Sequence, residues 1–191
     1  MKSFADLLIA WHAKSGRHHL PWQKSKDPYA VWVSEIMLQQ TQVTTVIDYY
    51  NRFMKKFPSI KTLAHADEEE VMQLWSGLGY YRRARFLHEG AQMIMQEMGG
   101  HFPSDFDIMM KIPGIGRSTA GAIAAFSFNQ KKAILDGNVK RVLARYFLIN
   151  QWTGLLKIEK KLWGDAESLL PHKNIAIYTQ ALMDLGATVC N

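Results

Sequence analysis

The chain has 191 residues, 48% of them hydrophobic and 21% charged, which is enough apolar content for a packed core and argues against disorder. A formal net charge of +6 suits a polyanionic partner, and the single cysteine, Cys190, rules out an internal disulfide framework and suits a reducing cytoplasm. No apolar run approaches the ~20 residues that span a bilayer, and the N-terminus MKSFADLLIAWHAK has an acidic residue and no small-residue cleavage site. No membrane partner and no signal peptide are therefore expected.

Helical periodicity recurs along the chain and no alternating strand pattern stands out, so the expected fold class is all-α. Phe4, Leu7, Leu8 and Trp11 share one face and predict a first helix ending near Ser15-Gly16. Arg17 to Trp22 then reads as a loop in which His18 and His19 are surface histidines, because no partner spacing supports a metal. Asp27 followed by Pro28 is a cap and first-turn proline, opening a helix with Val31, Trp32 and Ile36 on its apolar side. The polar run Gln39-Gln40-Thr41-Gln42 interrupts it, and Val43, Val46, Ile47, Tyr50 and Phe53 pattern the next helix. Asp67 with Glu70 predicts a capping-box start for a short helix through Leu74. Gly77-Leu78-Gly79 is a turn, and a helix is expected from about Tyr80 to Met98. At its start Arg82, Arg83 and Arg85 are either backbone phosphate contacts or a solvated basic face. Gly99-Gly100 ends that helix, and Ser104 is expected to cap a short one leading to Pro113. Later helices are expected from Asp136, from about Ile158 to Leu170, and from Ile175 to Ala187. The methionines and most aromatics fall in these stripes, where core packing is the default account.

Between these lies Pro113-Gly114-Ile115-Gly116, where glycines one residue apart permit angles that a side chain would forbid. A helix of small residues follows, with Ala120, Gly121, Ala122, Ala124 and Ala125. Such a turn can hold a phosphate through its amides and the positive helix end, although hairpins between helices use glycine for other reasons too. About twenty residues later, Leu135-Asp136-Gly137-Asn138 puts a carboxylate at a helix start, followed by Lys140, Arg141 and Arg145.

The hairpin with its trailing aspartate resembles the helix-hairpin-helix motif of base-excision DNA glycosylases. The stretch SEIMLQQTQV from Ser34 to Val43, with Leu20-Pro21-Trp22 before it and Gly77-Leu78-Gly79-Tyr80-Tyr81 after it, is similar to the A/G-specific adenine DNA glycosylases of the MutY type. The likeness runs from Trp11 to Cys190 in the family's order. It implies a two-lobed helix-hairpin-helix glycosylase fold with the DNA cleft between the lobes. Residues 1–20 plus 131–191 would form a terminal helical lobe (the iron–sulfur lobe of the family), and residues 21–130 a helical-barrel lobe with the hairpin at about 108–128. The implied partner is double-stranded DNA carrying a mispaired adenine, met by a monomer in the nucleoid-associated cytoplasm.

Breaking an N-glycosidic bond to adenine requires a proton on the leaving base and negative charge beside an oxocarbenium-like sugar, a task for two carboxylates in different environments. Glu35 and Asp136 are the candidate pair. Glu35 is flanked by Trp32, Val33, Ile36, Met37 and Leu38, surroundings that would raise its pKa and keep it protonated as an acid; the plainer alternative is a solvated glutamate. Asp136 at a helix N-terminus should stay ionised to stabilise the cation or bond transiently to the sugar; alternatively it is a plain N-cap. The resemblance makes Glu35 the acid for adenine, Asp136 the sugar stabiliser and Asn138 its support. It further implies that Trp22, Leu38 and Gln40 form the adenine pocket or fill the gap left by the flipped base, that Tyr80 wedges beside the opposite purine, and that Gln180 lies near the flipped base. Leu38 and Tyr80 also read as core residues, whereas Gln39-Gln40-Thr41-Gln42 between two apolar stripes fits hydrogen bonding to base edges. Gly114 and Gly116 would contact the DNA backbone.

Related glycosylases that also cut the strand carry a lysine two residues after the hairpin's second glycine, whose amine forms a Schiff base. Ser118 stands there, so a monofunctional hydrolase acting on adenine opposite 8-oxoguanine or guanine is implied. The family's 4Fe–4S cluster site begins with a cysteine after L-G-A, matched by Leu185-Gly186-Ala187 and Cys190, but the other three thiolates are missing, so this chain alone is not expected to bind the cluster. The family's C-terminal domain, which helps read 8-oxoguanine, is absent as well, and truncation after Asn191 is the preferred explanation. Competing functions are an endonuclease III-like or thymine-mismatch glycosylase and a non-catalytic helix-hairpin-helix DNA-binding module. Ser118 and SEIMLQQTQV argue against the first two, and the pairing of Glu35 with Asp136 argues against the third.

Overall fold

The computed structural model describes residues 2–190; Met1 and Asn191, the outer limits of the expected terminal lobe, lie outside the described residues. Within them the chain forms α1 (Phe4–Ser15), a 3₁₀ turn (Pro21–Lys24), α2 (Pro28–Leu38), α3 (Val43–Lys56), α4 (Ile60–Ala64), α5 (Glu68–Trp75) and α6 (Arg82–Glu97). Then follow α7 (Phe106–Met109), α8 (Arg117–Phe128), α9 (Gly137–Tyr146), α10 (Leu156–Ser168) and α11 (Ile175–Thr188). No strand occurs among the described residues, so the all-α expectation holds.

The helix boundaries follow local chemistry. Asp27 accepts from the Tyr29 amide at 3.1 Å and Pro28 opens α2, as the cap signal predicts. Asp136 occupies the same position for α9. Two expected caps are corrected. The short helix before the hairpin is capped by Asp105, whose Oδ1 accepts from Asp107 and Ile108 at 2.9 Å, one residue beyond Ser104. Asp67 stands at the N-cap of α5 without a side-chain cap bond. Helix α4, capped reciprocally by Ser59 and Thr62, escapes periodicity because five residues make little more than one turn. In α1 the buried residues are Ala5, Leu8 and His12, while Leu7 is 57% exposed, which turns the expected apolar face by part of a turn.

The chain divides into two compact units. One comprises His19–Ile123; the other joins the N-terminal segment through His18 to the segment from Ala124 onward. In the first, α2 is buried nearly all round: Trp32, Val33 and Met37 are fully buried and Ile36 is 1% exposed. Burying each such large side chain stabilises by ~1.5–3 kcal/mol. α6 packs on α4, α5 and α2, with Leu87, Ala91 and Ile94 buried. In the second unit α11 packs on both α1 and α9. Phe4 joins this core with its ring tilted against Tyr146 at 4.6 Å and edge-on to Tyr178 at 6.4 Å.

Candidate active-site residues

Glu35 is the one half-buried position in the run from Tyr29 to Met37, all of whose other side chains are buried. Its neighbour Ser34 turns inward and donates to the Val31 carbonyl at 2.7 Å, so the polar group beside it is satisfied within the helix. Leu38 ends α2 half-buried. Gln40 and Thr41 follow in a turn where Thr41 N donates to Leu38 O at 3.3 Å and Gln40 is exposed with φ of 57°. Gln39 reaches out of the same turn to Thr119 Oγ1 at 3.3 Å, tying it to the first turn of α8.

Tyr80 is 59% exposed and also left-handed, with φ of 49°. It sits at the tip of the Gly77–Gly79 turn, and exposure of that size does not suit the reading of Tyr80 as a core residue. Trp22 is 7% exposed and meets Tyr50 edge-on at 5.5 Å. In the hairpin, Gly114 has φ of 79°, and a Cβ there would meet Phe86 Cβ at 3.0 Å. Gly116 lies outside the left-handed region, and a Cβ there would meet nothing within 4 Å. The expectation that both glycines need special angles thus holds for Gly114 alone. Ser118 is half-buried in the opening turn of α8.

The three arginines of α6 do not form one basic face. Arg82 is exposed and lies over the Phe86 ring at 4.8 Å, and Arg85 is exposed and pairs with Glu68 at 3.1 Å. Arg83 is 9% exposed, and its Nη1 and Nη2 donate to backbone carbonyls and to Thr41 Oγ1 while Nε has no partner among the described residues, so it is not part of a solvated basic face.

In the second unit, Asp136 caps α9 with Oδ1 accepting from the Val139 amide at 2.8 Å. Burial of this half-buried carboxyl pushes its pKa above the ordinary 3.8, opposed by the Val139 and Asn138 amides and by Arg141. The helix end alone suggested an easily ionised group; desolvation is the larger influence. Asn138 Oδ1 accepts from Arg141 Nη2 at 2.9 Å, and the same nitrogen donates to Gly186 O at 2.6 Å. Arg141 Nε also bonds the Cys190 carbonyl, and Arg145 Nη1 lies 2.7 Å from Cys190 Sγ.

Gln180 is half-buried on α11, and its Nε2 donates to Asp184 Oδ1 at 2.9 Å. Asp184 is wholly buried and accepts from Arg17 N at 2.8 Å, Arg17 Nε at 2.8 Å and Arg17 Nη2 at 2.6 Å. His12 Nε2 lies 3.2 Å from Asp184 Oδ2 without hydrogen-bond alignment. Sequence reading passed over His12, Arg17 and Asp184. The available signal was a carboxylate within the apolar stripe of α11, which requires a buried cation nearby.

The donor set does not fit a four-thiolate cluster. Cys190 is the sole cysteine, and among the described residues no group of three His, Cys, Asp or Glu side chains is placed to hold a metal.

Residues 33–167 match the family described as HhH-GPD superfamily base excision DNA repair protein. The chain is 49% identical to an adenine DNA glycosylase of Buchnera aphidicola subsp. Acyrthosiphon pisum, covering 98% of this chain and 53% of the relative. It is 45% identical to the adenine DNA glycosylase of Homo sapiens, covering 98% of this chain and 36% of that one. The chain spans about half the length of the bacterial relatives it matches. A solved thermostable thymine-DNA glycosylase is 28% identical with a TM-score of 0.89, covering 98% of this chain and 86% of that chain. A trapped endonuclease III–DNA covalent intermediate, 22% identical with a TM-score of 0.80 and coverage of 98% and 84%, shares the fold. The chain belongs to the HhH-GPD superfamily of base excision DNA repair proteins.

Proposed function

We propose that this chain hydrolyses the N-glycosidic bond of adenine mispaired with 8-oxoguanine or guanine in double-stranded DNA, and leaves the strand intact. The observation that carries this reading is identity of 45–49% over 98% of the chain to proteins named adenine DNA glycosylase. The presence of a carboxylate at both Glu35 and Asp136 agrees with it.

In this reading Glu35 protonates a ring nitrogen of the extruded adenine and then helps handle the attacking water. Its half-buried setting in the otherwise buried run of α2 suits a group that must both hold a proton and meet substrate. Asp136 stabilises the cationic sugar; its bond to the Val139 amide fixes the carboxylate before substrate arrives, which limits reorganisation as charge develops. Asn138, held by Arg141, supports that carboxylate. Trp22, Leu38 and Gln40 form the adenine pocket or fill the gap left by the flipped base, Thr41 bonds a base edge, Tyr80 enters the stack beside the opposite purine, Gln180 approaches the flipped base, and Gly114 and Gly116 admit the DNA backbone. Ser118 supplies no amine, so no Schiff base forms and no β-elimination follows. The enzyme acts as a monomer in the nucleoid-associated cytoplasm. No helix of the described residues is long and apolar enough to cross a membrane.

The test is single-turnover adenine release from a duplex carrying adenine opposite 8-oxoguanine, run with and without alkali. Wild type is expected to release adenine and to need alkali for a nick. Glu35→Gln and Asp136→Asn are each expected to lower the rate by about 10²–10⁴-fold. Strand cleavage without alkali, borohydride trapping, or release of thymine from a G·T duplex in place of adenine would overturn the assignment.

A further inference from the structure

Arg83 stands apart from its exposed neighbours on α6 because its guanidinium is enclosed and joins two separate loops. Nη1 donates to the carbonyls of Ile36 at 3.0 Å and Met37 at 2.9 Å, in the last turn of α2, and also to the carbonyl of Gln39. Nη2 donates to Thr41 Oγ1 at 3.1 Å, Gly79 O at 3.2 Å and Leu78 O at 3.5 Å. The guanidinium carbon lies 5.6 Å from the Trp75 ring centroid and 5.2 Å from that of Tyr80. Trp75 Nε1 adds a second donor to Gly79 O at 3.1 Å.

The two loops share a further property. Each carries a non-glycine residue in the left-handed region, Gln40 with φ of 57° and Tyr80 with φ of 49°. Side chains occupy that region only where the surroundings over-determine it. The carbonyls of Gln39 and Gly79 belong to the peptide planes just before these two residues, and φ is the rotation that follows each plane. Arg83 grips both planes.

We propose that Arg83 is the positioning residue that sets Gln40 and Tyr80 together, so that neither loop tip changes conformation independently of the other. Its planar fork reaches acceptors on two loops at once, whereas a lysine offers one point charge with three donors. The importance of Gln40 and Tyr80 as base contacts rests on the adenine glycosylase reading, while their coupling through Arg83 rests on the geometry alone.

The experiment compares wild type and Arg83→Lys by amide hydrogen exchange and by single-turnover adenine release. Exchange is expected to quicken by about tenfold or more at Gln40–Thr41 and at Tyr80–Tyr81 together. Release is expected to fall about a hundredfold, as a small misplacement of contacting groups can produce. In a Gln40→Ala/Tyr80→Ala background, Arg83→Lys is expected to change release by less than about threefold, because the groups it acts through are gone. Quickened exchange in one loop or neither, or an undiminished rate loss in the double-alanine background, overturns the proposal. A wild type that releases no adenine sinks the glycosylase reading, and the exchange pattern still decides the coupling. Should Arg83→Lys not fold, Thr41→Val removes one acceptor and spares the core. The proposal then requires faster exchange at Gly79–Tyr80, across the gap, and unchanged exchange there overturns it.

Discussion

Gly186 lies so close to Asn138 that a Cβ added to the glycine would stand 2.6 Å from Asn138 Cβ and 2.8 Å from its carbonyl oxygen. Arg141 Nη2 spans the same junction, bonding Asn138 Oδ1 and Gly186 O. Two helices that meet backbone to side chain leave no flexible tip to move aside, so Gly186→Ala must push α11 from the start of α9. A destabilisation of about 1–3 kcal/mol is expected, read by chemical denaturation. Adenine release should fall with it, because Asp136 caps the displaced helix. Full stability in this variant would show that the junction yields.

The two hairpin glycines should separate fold from function. Gly114→Ala adds a side chain at φ of 79° and 3.0 Å from Phe86 Cβ, and should cost about 1–3 kcal/mol of stability. Gly116→Ala meets nothing within 4 Å, so stability should change by less than about 0.5 kcal/mol. The methyl group would instead obstruct close approach of a phosphate to the backbone. Duplex affinity about tenfold weaker than wild type, measured by titration, is the expected result. Equal affinities would place the DNA backbone elsewhere.

Helix starts were the most legible feature of this sequence, because Asp27-Pro28 and Asp136 carry their own cap chemistry within three residues. The all-α class followed from periodicity alone. What stayed hidden was orientation. Arg82, Arg83 and Arg85 look alike in sequence, and only packing against α2 and Trp75 decides that the middle one is enclosed. Likewise the first helix buries Ala5 and His12 and exposes Leu7, since Asp184 on α11, far along the chain, draws His12 and Arg17 inward. Among the candidate site residues, Glu35 was legible as a polar break in an apolar run. The left-handed backbone at Gln40 and Tyr80 was not, because neither is a glycine or an asparagine.

The Asp184 cluster should govern how stability varies with mild acid. Burial lowers the His12 pKa from 6.5, with Asp184 pulling upward against it. A histidine depressed in the folded state binds its proton more readily when unfolded, so stability is complete above the unfolded value and is lost as pH falls through it. Unfolding free energy should therefore drop as pH falls through the ordinary histidine value of 6.5, less so in His12→Asn. Asp184→Asn leaves Arg17 without its buried counter-charge and should cost about 3 kcal/mol near neutral pH. It should also loosen Gln180, which bonds the same carboxylate. A variant as stable as wild type would show that the pair does no more than fill space.

Asp136 presents the opposite sign. Burial raises its folded pKa above 3.8, so the carboxyl is favoured when protonated, and that contribution disappears as pH rises through the folded value. At neutral pH the ionised form is held at a cost. Asp136→Asn keeps an oxygen for the Val139 amide, remains a good N-cap and removes the desolvated charge. It is expected to be more stable than wild type by about 0.5–1 kcal/mol at pH 7 while losing adenine release. The gain should shrink toward zero as pH falls below about 4, where wild type is protonated too. Denaturation curves of the two proteins at several pH values measure it. A constant difference would trace the gain to something other than the carboxylate charge, and a loss of stability would show that Arg141 and the helix end outweigh burial.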